Sequence, residues 1–280
     1  MTDLVVRRLL IDLESPIARH WAGGDAFRSA WLGALSQSFP IGEQFFIDAV
    51  RAALKVMPAA ERARLATEIQ GFVGQEATHR RIHELFNAHL ARRGLVNRLE
   101  PRVRRRTERM NGWDPRHAVA ITVATEHFTA ILAHWILGTP AVLAGTEPRL
   151  ATLWRWHASE EAEHCTTAFD VYRAMGGGER WRRRWMRYVT WFFFTDILRQ
   201  TLSNLRHDGT LWRASTWRSA FALLLGDDGL VRRTWPLWRA YFRADFHPSQ
   251  HDAGAARKWL ADNAAQFAVV SRPGAPCQRD

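Results

Sequence analysis

Residues 75–83 read Gln75-Glu76-Ala77-Thr78-His79-Arg80-Arg81-Ile82-His83, and residues 156–164 read Trp156-His157-Ala158-Ser159-Glu160-Glu161-Ala162-Glu163-His164. Each stretch sets a glutamate and a histidine three positions apart. On an α-helix that spacing leaves the two side chains about 60° apart, so both can reach one cation from the same face. A single Glu-x-x-His is common among helical proteins. Two copies on separate helices are the pattern by which a helical bundle holds a pair of metal ions, with one more glutamate from each of two other helices. The chain offers Glu43 within Phe39-Pro40-Ile41-Gly42-Glu43-Gln44-Phe45-Phe46-Ile47, and Glu126 within the otherwise uncharged Ile121–Thr125 and Phe128–Ile131 surroundings. A carboxylate on an apolar helix face is costly unless it is paired or bound to a cation. The order Glu43, Glu76 with His79, Glu126, and Glu161 with His164 predicts an all-α fold: a four-helix bundle around two metals, with additional C-terminal helices.

Working outward, punctuation residues set the helix limits. The first helix spans about residues 25–56 and is expected to break or kink at Pro40, which lacks an amide. The second follows Pro58 and ends at Gly94. The third opens on Asp114-Pro115, a cap followed by proline at the first helical position, and ends near Gly138. The fourth runs from Glu147-Pro148 to the triple glycine 176–178. An arginine-rich connector, Arg102 to Arg109, joins the second and third. Period-two alternation is scarce, so no strands are expected. These limits divide the chain into a bundle with an N-terminal arm (1–178), a Trp/Arg-rich helical extension packed on it (179–268) and a loose tail (269–280). The charge-free stretch 128–146 approaches membrane-spanning length, but Gly138, Pro140 and His134 make it a core helix plus a turn.

The chain has 280 residues and a formal net charge of +11. Its only lysines are Lys55 and Lys258, so the charge is arginine. That bias does not by itself point to nucleic acid, and none is expected as a partner. An arginine face suits anionic lipid headgroups or an acidic electron-donor protein. Two cysteines, Cys165 and Cys277, form neither a disulfide framework nor a zinc site. With no secretory signal at the N-terminus, the expected setting is the cytoplasm, with peripheral contact at the inner membrane surface compatible. The oligomeric state stays open, a dimer included.

Other histidines fall near the two motifs. His157 lies four residues before Glu161 and seven before His164, on the same helix face, and is a candidate further ligand. His83 lies four after His79 and is expected to orient a ligand by hydrogen bonding. Glu160 and Glu163 point elsewhere and suit ion pairs. His127 and His134 read as core or interface residues. His247 and His251, near Asp245 and Asp252, are too loosely spaced for a second metal site and suggest a loop-ordering network.

The 75–83 and 156–164 motifs, with Asp245-Phe246-His247-Pro248, resemble a bacterial family of predicted metal-dependent hydrolases over most of the chain. The four-helix core also resembles the ferritin-like di-iron oxygenases. Glu160-Glu161-Ala162-Glu163-His164 is similar to the motif of acyl-carrier-protein desaturases. The His-x-x-x-Glu-x-x-His of residues 157–164 is similar to arylamine N-oxygenases, a resemblance that implies His157 joins the metal site. Mixed carboxylate and imidazole ligation suits iron in two oxidation states. The preferred expectation is therefore two Fe ions, with Mn or mixed Fe/Mn as variants, activating dioxygen to oxidise a hydrophobic acyl, lipid-like or aromatic substrate. The alternatives are a two-metal hydrolase and non-catalytic metal storage.

Overall fold

A computed structural model describes residues 4–271, and Cys277 lies outside them. Among the described residues are ten α-helices and two short strands. The long helices are α1 (Ala26–Val56), α2 (Ala59–Arg92), α4 (Pro115–Gly138), α5 (Pro148–His164) and α7 (Glu179–His207). The ends obey local chemistry. The Asp25 carboxylate accepts the amide of Arg28 at 2.9 Å, and Asp114 accepts that of Arg116 at 2.9 Å, satisfying amides a helix start leaves unpaired. At the end of α2, Gly94 takes φ 80°, Leu95 N donates to Leu90 O at 3.0 Å and Gly94 N to Ala91 O at 2.8 Å. That paired closure requires a left-handed residue, which glycine adopts without a Cβ penalty.

Helix α1 packs on α2, α4 and α7, and α4 packs on α5. The core around these contacts includes Phe72, Phe86, Leu65, Ile69, Trp135 and Trp156, all buried. Side chains of this kind each contribute about 1.5–3 kcal/mol when fully buried. By length and composition α4 could cross a membrane, but 83% of its apolar window is buried against neighbouring helices, as befits the central helix of a bundle.

Four expectations need correction. Helix α1 is not interrupted: Pro40 sits inside it. Proline denies the Ser36 carbonyl its amide four residues on, and Asn87 Nδ2 of α2 donates to that carbonyl at 2.9 Å instead. The 102–109 connector is itself helical up to Glu108, within α3 (Glu100–Glu108), where Arg102 and Arg106 both pair with Asp196 of α7. The fourth segment is divided after His164, with α6 (Thr167–Ala174) following a two-residue turn. Cys165 and Thr166 keep right-handed dihedrals, so the turn loosens rather than reverses. The Thr167 hydroxyl then donates to Glu68 of α2 at 2.9 Å.

Finally, strands do form. β1 (Val6–Leu9) pairs antiparallel with β2 (Phe267–Ser271), Arg8 opposite Ala268 and Leu9 opposite Phe267. Residues 269–271 therefore belong to a ladder and not to a tail; the rest of the tail lies outside the described residues. Val269 and Val270 are β-branched, which favours a pleated pairing. The N-terminal strap lies close on α2. A Cβ on Gly71 would stand 2.6 Å from the Leu4 Cβ, and one on Gly74 would stand 2.4 Å from a Val6 methyl.

Among the remaining helices, α8 (Ala214–Leu225) packs on α1, α9 (Leu230–Ala240) on α4, and α10 (Gly254–Asp262) on α5.

Candidate metal centre

Helices α1, α2, α4 and α5 bring Glu43, Glu76, His79, Glu126, His157, Glu161 and His164 into one buried cluster. Donor atoms within 4.8 Å of one another form three sets: Glu43, His79 and His157; Glu76, His79 and Glu161; Glu76, Glu126 and His164. Glu76 belongs to two sets. Glu161 spans the middle, with Oε1 at 2.8 Å from His157 Nε2 and 3.4 Å from His79 Nδ1, and Oε2 at 3.5 Å from His164 Nε2. On the far side, His164 Nε2 stands 3.1 Å from Glu76 and 3.3 Å from Glu126. Every candidate ligand named from the sequence lies in the cluster.

The fit to metal is tested by the hydrogen bonds that are missing. Both oxygens of Glu43, Glu76 and Glu126, one oxygen of Glu161, His79 Nδ1 and His164 Nε2 are buried with no hydrogen-bond partner. Buried polar atoms are otherwise almost always paired, so this convergence of unpaired carboxylate and imidazole atoms fits a site that could hold metal ions. Electrostatics agree. Burial, then the Glu76 carboxylate, drives Glu43 well above the usual carboxylate range. Burial, then Glu161 and Glu76, pushes Glu126 up to about 8. Glu161 goes the other way: burial opposes its charge, but His164, His157 and His79 hold it well below its ordinary value. Burial likewise opposes charge on His79, yet Glu160 and Glu161 overcome it and raise the imidazole to about 10. Ionised Glu43 and Glu126 are therefore costly in this dry site, a cost that bound cations would offset.

The orienting partners are reciprocal. His79 Nε2 donates to Glu160 Oε2 at 2.9 Å, leaving Nδ1 to face the cage. His164 Nδ1 donates to Gln75 Oε1 at 2.9 Å, leaving Nε2 to face it. Gln75 immediately precedes Glu76, and Glu160 immediately precedes Glu161, so each motif fixes the histidine of the other. Arg7 of β1 bonds Glu160 at 3.0 Å and Glu163 at 2.7 Å, and Gln75 Nε2 reaches Val5 O at 3.0 Å and Glu163 at 3.2 Å. The ion pairs expected of Glu160 and Glu163 are therefore present, but Glu160 also orients a cage histidine. Gln75 and Arg7 were missed. The position before each Glu-x-x-His was the signal for Gln75; nothing local marks Arg7.

His157 is oriented by a continuous chain. Its Nδ1 donates to His83 Nε2 at 2.6 Å, His83 Nδ1 donates to Ser36 Oγ at 2.8 Å, and Ser36 Oγ donates to Asn87 Oδ1 at 2.7 Å. This assignment pairs each donor along the chain with one acceptor and leaves the His157 Nε2 lone pair aimed at Glu161 and Glu43, free to bind a cation. The geometry expected for His83 is thus present. On α2 the position equivalent to His157 is Phe72, whose ring meets His164 edge-on at 5.0 Å. One end of the cage therefore has an extra imidazole and the other a hydrocarbon wall.

Beside the cage, a cavity of about 140 Å³ lies between α1, α3, α4 and α7. Glu43 and Glu161 form its inner end, Phe39, Phe45, Val103 and Phe193 line its walls, and Tyr188 and Arg106 lie at its outer part. Thr107, Thr125 and Thr129 also line it, but each hydroxyl donates to a carbonyl of its own helix. The walls therefore offer hydrocarbon with no free threonine donor.

His247 bonds Asp170 at 3.1 Å and Ser249 at 2.8 Å, tying its loop to α6. His127 is buried with its ring donating to Leu237 O at 3.1 Å, while His134 is exposed. Among the described residues, all three clusters with metal-holding spacing belong to the cage. The sequence model of the family described as predicted metal-dependent hydrolase matches residues 5–252. No curated protein and no solved structure matches the chain.

Proposed function

The chain belongs to the family of predicted metal-dependent hydrolases, and from that premise we propose that it hydrolyses an apolar substrate at a two-metal site. The observation behind this reading is the set of buried, unpartnered carboxylate and imidazole atoms that converge where the apolar cavity ends. Glu43, His79 and His157 would hold one cation, Glu126 and His164 the other, with Glu76 and Glu161 shared. The order of these residues on four packed helices supports a ferritin-like cage. Such a pair of divalent cations polarises a scissile carbonyl and acidifies water.

The chain does the rest. Glu160 and Gln75 hold His79 and His164 in one tautomer each, and the His83 chain does the same for His157. Phe39 packs against both His83 and His157 with ring centroids at 4.6 Å, closing that end to water. Glu43 stands at the junction of cage and cavity with both oxygens unbonded. It can hold a cation through one and accept a proton at the other, then return that proton to the leaving group. The cavity walls select an acyl, lipid-like or aromatic group. For scale, a dry cavity of about 150 Å³ lined by aliphatic and aromatic side chains admits a benzene ring.

The test uses purified protein loaded with iron, manganese or zinc and a series of aryl esters, assayed under argon. We expect two metals per chain and anaerobic ester cleavage, both abolished by Glu161→Ala. Full metal content in that variant would refute the cage, and cleavage unchanged by the loss of metal would refute the reaction. A second reading, oxidation of the same substrate by dioxygen with an iron pair, is favoured by the donor set itself: three imidazoles with four glutamates suit iron in two oxidation states. Oxygen uptake by the reduced iron-loaded protein, with no anaerobic cleavage, would select it.

A further inference from the structure

The outer face of α7 is unusual in what it exposes. Between Trp181 and Arg199 the exposed apolar residues are Trp181, Tyr188, Trp191, Phe194 and Leu198, and the exposed polar ones are Arg184, Arg187 and Arg199. No acidic side chain is exposed in that span. At 100° per residue these eight positions fall within an arc of about 140°. Trp191 is 67% exposed and Leu198 55%, which is costly in water for a purely structural helix. The helix carries seven arginines against two carboxylates, Glu179 and Asp196, and Asp196 is already neutralised by Arg102 and Arg106. Aromatic rings interleaved with arginine suit the headgroup region of a bilayer: rings prefer the interface, and guanidinium groups pair with anionic phosphates.

The same helix forms the outer wall of the apolar cavity. Tyr188 belongs to both the exposed face and the cavity lining, and Phe192, one turn on, lines the cavity under the Arg106 guanidinium at 4.6 Å. A molecule dissolved in a bilayer pressed against this face would meet the cavity at Tyr188 without crossing water.

We propose that the exposed face of α7 docks on an anionic phospholipid bilayer, with Trp191, Phe194 and Leu198 inserted and Arg184, Arg187 and Arg199 on the headgroups. The bilayer is then the source of the apolar substrate. That second clause rests on the substrate cavity proposed above; the docking does not, and it is tested without activity.

The experiment floats the full-length protein with vesicles of phosphatidylcholine alone or mixed with phosphatidylglycerol. Each arginine near an anionic surface contributes about fivefold, so three give a preference on the order of 100-fold for the mixed vesicles, weakened by salt. Replacing Arg184, Arg187 and Arg199 by Gln removes that preference, and Trp191→Ser with Leu198→Ser lowers binding to both vesicles by about tenfold or more. The control removes the same charge from α2, by Arg62→Gln, Arg81→Gln and Arg92→Gln, and keeps the binding. The proposal is overturned if the wild type floats equally with both vesicles or with neither. It is equally overturned if both arginine triples lose binding alike, or if the face instead mediates dimerisation in sedimentation without vesicle binding.

Discussion

Glu160→Gln tests the reciprocal orientation of the cage more sharply than removing a ligand does. The amide preserves the shape and an acceptor for His79 Nε2–H, now at 2.9 Å, but it removes the charge. A hydrogen bond to a charged group contributes about 1.5–3 kcal/mol and a neutral one about 0.5–1.5 kcal/mol, so the loss is about 1–1.5 kcal/mol. That corresponds to about tenfold in metal affinity, within the range found when such outer partners are removed from metal sites. Gln75→Leu removes the acceptor of His164 altogether, and up to about 100-fold is expected there. The diagnostic feature is which site suffers. Metal titrations against a chromophoric chelator would be run in single-site backgrounds. In His164→Ala, where the His79 position remains, Glu160→Gln should cost its full tenfold; in His79→Ala it should cost almost nothing. Gln75→Leu should show the opposite pattern. If Glu160→Gln weakens both backgrounds equally, its effect is on folding and the reciprocal arrangement is refuted.

Metal uptake should release protons. Glu126, raised to about 8, and His79, raised to about 10, hold protons in the metal-free cage at pH 7. Affinity should therefore climb as pH rises towards these values and fall on acidification; calorimetry in buffers of different ionisation enthalpy measures the release, and no proton exchange at pH 7 would contradict it. Gly74→Ala puts a methyl 2.4 Å from Val6 and should displace β1 at a cost of about 1–3 kcal/mol, read as a lower urea midpoint. Val103→Trp fills the cavity and should shift an ester series towards short acyl chains with metal content unchanged.

Five of the cage residues were legible because helical spacing is a local property: three and four residues map onto one face whatever the tertiary context. Glu43 and Glu126 were legible as lone carboxylates in apolar stretches. Helix starts at Asp25, Asp114 and Glu147 were equally legible, since a cap is chemistry between near neighbours. What failed depended on distance. The interruption expected at Pro40 did not occur because the carbonyl it orphaned found Asn87 on another helix. β1 and β2 pair across nearly the whole length of the chain, and four-residue runs such as Val6–Leu9 are too short to declare a partner that far away. Arg7 reaches Glu160 over 153 positions and could not be read from either end. The division after His164 carries neither proline nor glycine, so no local signal marked it.

Pro40 has a further consequence, best seen as a trade of stability against determinacy. A helix interior that loses an amide hydrogen bond to proline gives up about 3 kcal/mol, and Pro40→Ala would regain part of that. The restored amide would then compete with Asn87 for the Ser36 carbonyl. Asn87 is also the residue on which the Ser36 hydroxyl ends the chain through His83 to His157. A variant that melts at a higher temperature yet binds metal less tightly is therefore expected. In this bundle the turn that proline opens in the first helix also anchors the hydrogen-bond chain that reaches His157.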